Sequence, residues 1–428
     1  QVTVLEATQQ VGGRVRTFRA EDNSWYVELG AMRLPKTHRL VREFLRQFGL
    51  RLNPFIQSHP KAFYFLNGTR WRMQEVEQDP NLLNYPVEAS ERGKSAEQLY
   101  REAMEKASRT FQQEDCKSFL DKFDSFSTKE YLIKVGNLSR GAVELIGDLL
   151  NDDSGFYLSF LSSLFDFSIF SHPSFDEISG GFDQLPKAFQ ASLPGVVHLG
   201  CQVKEITTRG HHLQVLYHNS SEGREATAEA DYVLVTSTAR ATRQIHFHPP
   251  LSRAKAHALR SVHYASSTKV ALACRQRFWE LDGIRGGQTI TDRPSRFIYY
   301  PSHDFQGGLG VLLASYTWND DSQFFAALPE ERILELIFQD LADIHGRSKD
   351  ELKELCPEHV VQKWELDQEA MGAFAAFTPY QFTDYSGLLF QEEGRLHFAG
   401  EHTAQPHAWI DTAMKAAIRA ASNIHQHS

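Results

Sequence analysis

At 428 residues the chain is too long for one ordinary hydrophobic core, so two or three domains are expected. Its 41 % apolar content excludes a disordered chain, and a net charge of −9 argues against nucleic acid or a general affinity for anionic membranes as partners. No apolar run is long enough for a spanning helix.

Val2–Ala7 reads as a short buried strand ending in a carboxylate, Glu6. Val11–Thr17 reads as a turn in which Gly12 and Gly13, lacking Cβ, let the backbone approach a ligand, with Arg14 able to fork onto phosphate oxygens. A strand-end acid beside a glycine pair and arginines is how a dinucleotide's ribose and phosphates are held, although the same residues also read as a surface strand and a turn. Gly30–Pro35 puts one arginine, Arg33, in an apolar loop. That arginine reads equally as a structural salt-bridge partner.

The segment His38–Phe48 sets Leu40, Val41, Phe44, Leu45 and Phe48 on one helical face, and Gly49 ends it. Residues 53–85 read as strands and turns. From about Ser95 to Phe170 the pattern is helical, with a capping box at Ser127–Glu130 and a cap at Ser139, and this block could cover a site. Turn chemistry returns at Ile178–Pro186. Strands follow at Val196–Leu199, Gln202–Ile206, Leu213–Tyr217 and Ala230–Thr236, the last with the run of a strand buried on both faces.

Further on, Thr268–Cys274 is a strand carrying one lysine, Lys269, which is costly there unless hydrogen-bonded and otherwise reaches solvent from the strand end. Phe297–Tyr300 and Gly310–Tyr316 are predicted strands and Glu330–Ile344 a helix. The strand Arg395–Gly400 leads through a loop to a helix from about Thr412 to His425.

The block Phe398–Ala413, FAGEHTAQPHAWIDTA, carries the strongest signal. Glu401 can hold a cofactor's ribityl or phosphate region, and the helix that follows points its free N–H groups outward at Ile410, Asp411, Thr412 and Ala413. Such a helix start favours the negative charge that develops on the N1–C2=O edge of a flavin when N5 accepts a hydride.

Taken in this order, the strand with Glu6, the Gly12–Gly13 turn, the run GAMRLP and the FAGEHTAQPHAWIDTA block resemble the flavin-dependent amine oxidase superfamily. The run GAMRLP narrows the resemblance to the secreted L-amino-acid oxidases of vertebrates, the snake-venom enzymes among them. The likeness runs over nearly the whole chain. It implies an α/β fold with three parts: a split Rossmann-like FAD-binding domain (1–10, 181–262 and 390–428), a mixed-sheet substrate-binding domain (11–75 and 263–389) and a helical domain (76–180).

The resemblance also implies FAD as cofactor, contacted by Glu6, Ala7, Gly12, Gly13, Arg14, Gly30, Ala31, Met32, Arg33, Val203, Glu401, Ala408, Trp409, Ile410, Asp411, Thr412 and Ala413. The Val203 backbone would meet the adenine, although an ordinary core valine reads as well. Arg33 and Tyr316 would fix the substrate carboxylate. Trp409 would wall the flavin, and the Ala408 carbonyl would accept from the substrate amine. Lys269 would be the catalytic residue, holding a water at flavin N5.

The reaction implied is oxidative deamination of an L-amino acid with oxygen as acceptor, giving a 2-oxo acid, ammonia and hydrogen peroxide. The aromatic content suggests bulky apolar side chains as substrates. A monoamine or polyamine oxidase on the same fold, or a flavin-free binding protein, are the alternatives.

Three departures stand out. Where the family has His-Gly-Trp this chain has His407-Ala-Trp409, and the added methyl is expected either to narrow the pocket or to strain a turn that wants glycine. The histidine proposed as a base in the venom enzymes falls near Asp166, and a basic residue four before the lysine is Ala265. The family's Gly-x-Gly-x-x-Gly turn would lie before Gln1, so the chain looks cut, and one that truly starts at Gln1 is expected to hold flavin weakly or not at all.

The four cysteines fit no zinc spacing. The resemblance pairs Cys274 with Cys356 and Cys116 with a cysteine upstream of residue 1. Asn67, Asn137 and Asn219 head Asn-x-Ser/Thr triplets in polar contexts, as in a glycosylated protein that is secreted or held in a secretory lumen or lysosome. A homodimer is left open.

Overall fold

The computed structural model describes residues 1–171 and 174–427. Its largest sheet has seven strands, in the order Glu358–Lys363, Ser267–Cys274, Gly310–Trp318, Phe297–Tyr299, Gln288–Thr291, Phe63–Leu66, Thr69–Arg72. Every residue of Ser267–Cys274 is buried, and it runs antiparallel to Gly310–Trp318 with Lys269 opposite Tyr316.

Strand alternation gives this sheet two working faces. Val270, Leu272 and Cys274 join a core with Ile333, Ile337, Leu341 and Ile344, the inner stripe of the helix Glu330–His345. Ala271 and Ala273 turn the other way, into a larger core shared with the helical block. Lys269 is in step with those alanines. A disulfide joins Cys274, at the end of this strand, to Cys356. Cys116 is free and exposed, and Cys201 is free and buried.

The helical block comprises Ala96–Gln113, Cys116–Phe123, Thr128–Lys134, Arg140–Leu150 and Phe160–Phe170. Each helix is started by a side chain of Ser95, Asp115, Ser127, Ser139 or Ser159 accepting from a backbone N–H of the first turn. Each such cap is worth about 1 kcal/mol. Ser127 forms the expected box with Glu130. Asn151, at φ 61°, closes Arg140–Leu150 in the left-handed region.

The beginning, middle and end of the chain meet in small parallel pairs. Val4–Leu5 lies beside Val197–His198, and Val233–Val235 beside Leu396–Phe398. Cys201–Arg209 lies between His212–Asn219 and His246–His248.

Four local expectations need correction. Only Val4–Leu5 of the predicted first strand is extended and paired. The run Ala230–Thr236 is no doubly buried strand: Ala230 ends a polar hairpin strand, Arg224–Ala230, and Val233 and Leu234 are only half-buried because they face a cavity. A helix, Gln184–Ser192, begins inside the predicted turn. Pro186 is tolerated there because the first helical turn has no N–H partners to lose. The segment 53–85 includes a helix, Met73–Gln78, between its strands and turns.

Candidate active site

A single cavity of about 1580 Å³ runs between these parts. It exceeds the roughly 300–1,000 Å³ of an ordinary ligand pocket, as a site for two molecules would. Glu6, Ala7, Gly12, Gly13, Arg14, Gly30, Ala31, Met32, Arg33, Val203, Lys269, Tyr316, Glu401, Ala408, Trp409, Ile410 and Ala413 all line it. The sequence stretches that hold them lie hundreds of residues apart.

One wall is built from the strand ends and the chain's last loop. Gly13, at φ +54°, has open space where a Cβ would stand, so its backbone is bare to the cavity. Gly30 has no such freedom, since a Cβ there would fall 1.8 Å from the Arg14 carbonyl oxygen. Arg14 Nη1 donates to Glu401 Oε1 at 2.7 Å and to the Ala373 carbonyl at 3.0 Å. Glu401 also accepts from the backbone N–H groups of Ala375 and Ala408, each at 3.0 Å. Burial opposes charge on Glu401, but the Arg14 guanidinium together with His407 and His402 outweighs it and holds the carboxyl at about 2. Both Glu401 oxygens are therefore engaged by the protein, and it acts as the clamp of its loop.

Ala408 sits at φ +72°, the left-handed conformation that the sequence marks as a glycine's place. The turn carries Trp409 into the cavity, where its ring meets His38 edge-on at 5.0 Å and Phe170 at 5.9 Å. The Trp409 indole Nε1 and His38 Nδ1 are buried with no hydrogen-bond partner, and both residues line the cavity. The helix Ile410–His427 starts here.

Two of the expected cofactor residues lie behind this wall. Asp411 and Thr412 are buried and do not line the cavity. Asp411 Oδ1 instead accepts from the N–H groups of Leu40 and Val41 at 3.0 and 3.1 Å. It supplies the cap that His38 does not give to the helix Arg39–Gln47. Ala413 N–H is bonded to the Trp409 carbonyl at 3.1 Å and so is not free as expected.

The opposite side holds Arg33, Lys269 and Tyr316. Arg33 Nη1 donates to Gln57 Oε1 at 2.9 Å and Tyr299 Oη at 3.1 Å, with the rings of Phe170 and Phe175 at 5.0 and 5.5 Å from its Cζ. Among the described residues no carboxylate forms a salt bridge with it. The phenol bonded to Arg33 is thus Tyr299, whereas Tyr316 packs its ring 4.7 Å from Lys269 Nζ. Sequence reasoning predicted the strand of Tyr299 but missed this contact, because nothing local marks which face of a short strand meets Arg33.

Lys269 Nζ donates to the carbonyls of Gly30 at 2.7 Å and Glu28 at 3.1 Å. Burial drives its pKa down to about 7, with Glu28 opposing and Arg33 adding to the shift. In the neutral amine both N–H groups are then engaged and a lone pair is left.

The helical block closes one side with Asn151, Asp152, Gly155, Leu158, Ser162, Ser163, Phe165, Asp166 and Phe170. Asp166 stands open to the cavity although protein encloses it. Burial raises its pKa to about 7, against the pull of the Trp409 indole and Arg33.

These residues fit a flavin dinucleotide. The bare Gly13 backbone, the strand-end acid Glu6, the unpartnered Trp409 and His38 nitrogens and a helix start line one cavity.

The family described as flavin containing amine oxidoreductase matches residues 1–425. The chain is 51 % identical over 425 residues to an L-amino-acid oxidase of Pseudechis australis, covering 99 % of this chain and 82 % of that protein. It is 50 % identical over 429 residues to an L-amino-acid oxidase of Echis ocellatus, covering 100 % and 85 %. Among solved structures, a putrescine oxidase variant superposes with a TM-score of 0.83 at 19 % identity, over 100 % of this chain and 93 % of that one. Cyclohexylamine oxidase from Brevibacterium oxydans gives 0.79 at 17 % identity, over 99 % and 93 %. At such identities these two speak for the fold alone.

Proposed function

The chain belongs to the flavin containing amine oxidoreductases, and we propose from that premise how its cavity carries out the FAD-dependent oxidative deamination of L-amino acids. The products are a 2-oxo acid, ammonia and, with oxygen as acceptor, hydrogen peroxide. When bound, FAD supplies a two-electron acceptor that oxygen regenerates.

Arg33 binds the substrate carboxylate. It is the observation that carries this reading: a guanidinium in an aromatic pocket, held by two neutral oxygens and no carboxylate. Such a group offers a planar fork to an incoming acid in a place where water competes poorly. Tyr299 orients the fork from behind, and Tyr316 shapes the pocket beside it. The Ala408 carbonyl accepts from the substrate amine, and Trp409 forms the aromatic wall that fixes the plane of approach. Lys269 loses its proton at about 7 and in that neutral form presents its lone pair to a water that can attack the imino product.

Arg14, Glu401 and the Gly12–Gly13 turn hold the cofactor's seat, with Glu6 at the ribose end and Val203 beside the adenine. The division into 1–10, 181–262 and 390–428 for FAD, 11–75 and 263–389 for substrate, and 76–180 as a helical cover is kept on this basis. The disulfide and the exposed Asn67 and Asn137 triplets support passage through the secretory route. No helix among the described residues is long and apolar enough to cross a membrane. The lysosomal option has no support.

The test compares L-phenylalanine with phenethylamine, and L-lysine with cadaverine, in peroxide release. Amino acids should react and the amines should not. Arg33→Ala should cut kcat/KM by about a hundredfold or more while the flavin absorption bands persist. A variant with the unaltered rate removes Arg33 from its role.

A further inference from the structure

The side of the cavity that the helical block lines carries several hydrogen-bond acceptors. Asp152 and Asp166 both line it, and Asp166 is close enough to raise the cost of ionising Asp152. Asn151 lines the same side, is 6 % exposed, and has no partner for its side-chain Oδ1. Ser162 Oγ, also lining, has none either. No residue that the helical block gives to the cavity carries positive charge. Two acids with no cation of their own wall and a carbonyl oxygen without a donor are costly in such an enclosure, unless something arrives with N–H groups and a charge.

That something is no metal of the usual kind, since among the described residues no three His, Cys, Asp or Glu gather to hold one. Arg33 lines the same cavity and takes the ligand's carboxylate. A molecule that meets both carries a carboxylate for Arg33 and a cation for the acids.

We propose that Asp152 and Asp166 select L-amino acids with a cationic side chain, of the lysine and ornithine type, over apolar ones of equal length. This deepens the oxidase reading and rests on it. The whole-chain aromatic content pointed to apolar substrates, but composition averages over all 428 residues and this side of the cavity is set by a few. The aromatic rings near Arg33 remain as walls for the substrate's methylenes, while the acids take its terminal charge.

The pH dependence follows from the groups that face the pair. Asp166 faces Arg33 and the Trp409 indole, and Asp152 faces Asp166 and the Tyr100 phenol. Burial pushes both carboxyls up to about 7. The substrate ammonium keeps its charge throughout this range. Below about 7 the pair is neutralised and attraction for a cation is lost; above it the attraction is present.

The experiment measures kcat/KM by peroxide release for L-lysine, L-ornithine and L-norleucine on the flavin-loaded full chain, on either side of neutral pH. Lysine should exceed norleucine, and the lysine-to-norleucine ratio should rise with pH through neutrality. Asp166→Asn and Asp152→Asn, checked for retained flavin bands, should each lower that ratio about ten- to a hundredfold. Norleucine equal to or better than lysine, with a ratio flat in pH, overturns the proposal and leaves the oxidase reading standing. Equal losses on both substrates in Asp166→Asn also overturn it, because that is the mark of a general base. No peroxide from any of the three would sink both readings.

Discussion

Glu401 and Asp166 are carboxylates on the same cavity, yet the first is held at about 2 and the second pushed to about 7. The difference lies in their neighbours. Glu401 receives a guanidinium and two backbone N–H groups from its own chain. Asp166 receives only the distant pull of Arg33 and an indole that falls short of a formed hydrogen bond. The Glu401 clamp is complete before any ligand enters, so it can position its loop without reorganising. On the helical wall Asn151 Oδ1 and Ser162 Oγ have no partner in the protein.

Breaking the clamp should have the largest effect. Glu401→Gln leaves Arg14 facing a neutral amide and frees the loop of Ala408. It should cost about 3 kcal/mol of unfolding free energy and most of the bound flavin, read by chemical denaturation and by absorbance. Unchanged flavin content would show that the clamp is not needed. The same pair sets an acid limit. The folded pKa of Glu401 lies below that of a free glutamate, so its contribution is full above about 4.3 and is lost as pH falls through about 2.

Lys269→Met touches the seam between the walls. It should lower kcat about a hundredfold with a smaller change in KM, measured in steady state. A kcat equal to that of the parent enzyme would remove Lys269 from the chemistry. The smallest expected effect is Ala408→Gly. Glycine relieves the left-handed alanine but loses more entropy on folding, so the net gain should stay below about 1 kcal/mol, seen as a slightly higher Tm. A loss of stability would mean that the alanine methyl packs usefully.

The wall that holds the clamp was the more legible in sequence. Its residues sit in short runs, such as FAGEHTAQPHAWIDTA, where strand end, acid, turn and helix start follow one another within sixteen positions. What local reading could not give was the role of each atom. Glu401 and Asp411 are both at such positions, yet one clamps its loop and the other caps a helix 371 residues earlier. The helical wall was less legible. Asp166 showed as a lone acid between phenylalanines, but its neighbour Asp152 belongs to the turn before that helix, and only the packing of the block brings the two together. Tyr299 was hidden for the same reason.

The Arg14–Glu401 bridge joins positions 387 apart. During synthesis the first half of the clamp leaves the ribosome long before the second exists. The nascent polypeptide must therefore carry an open, partly apolar groove until Glu401 emerges, and the early segments alone cannot close the clamp. Loading with FAD is thereby tied to synthesis past Glu401, which makes products truncated before it colourless and a natural burden on chaperones.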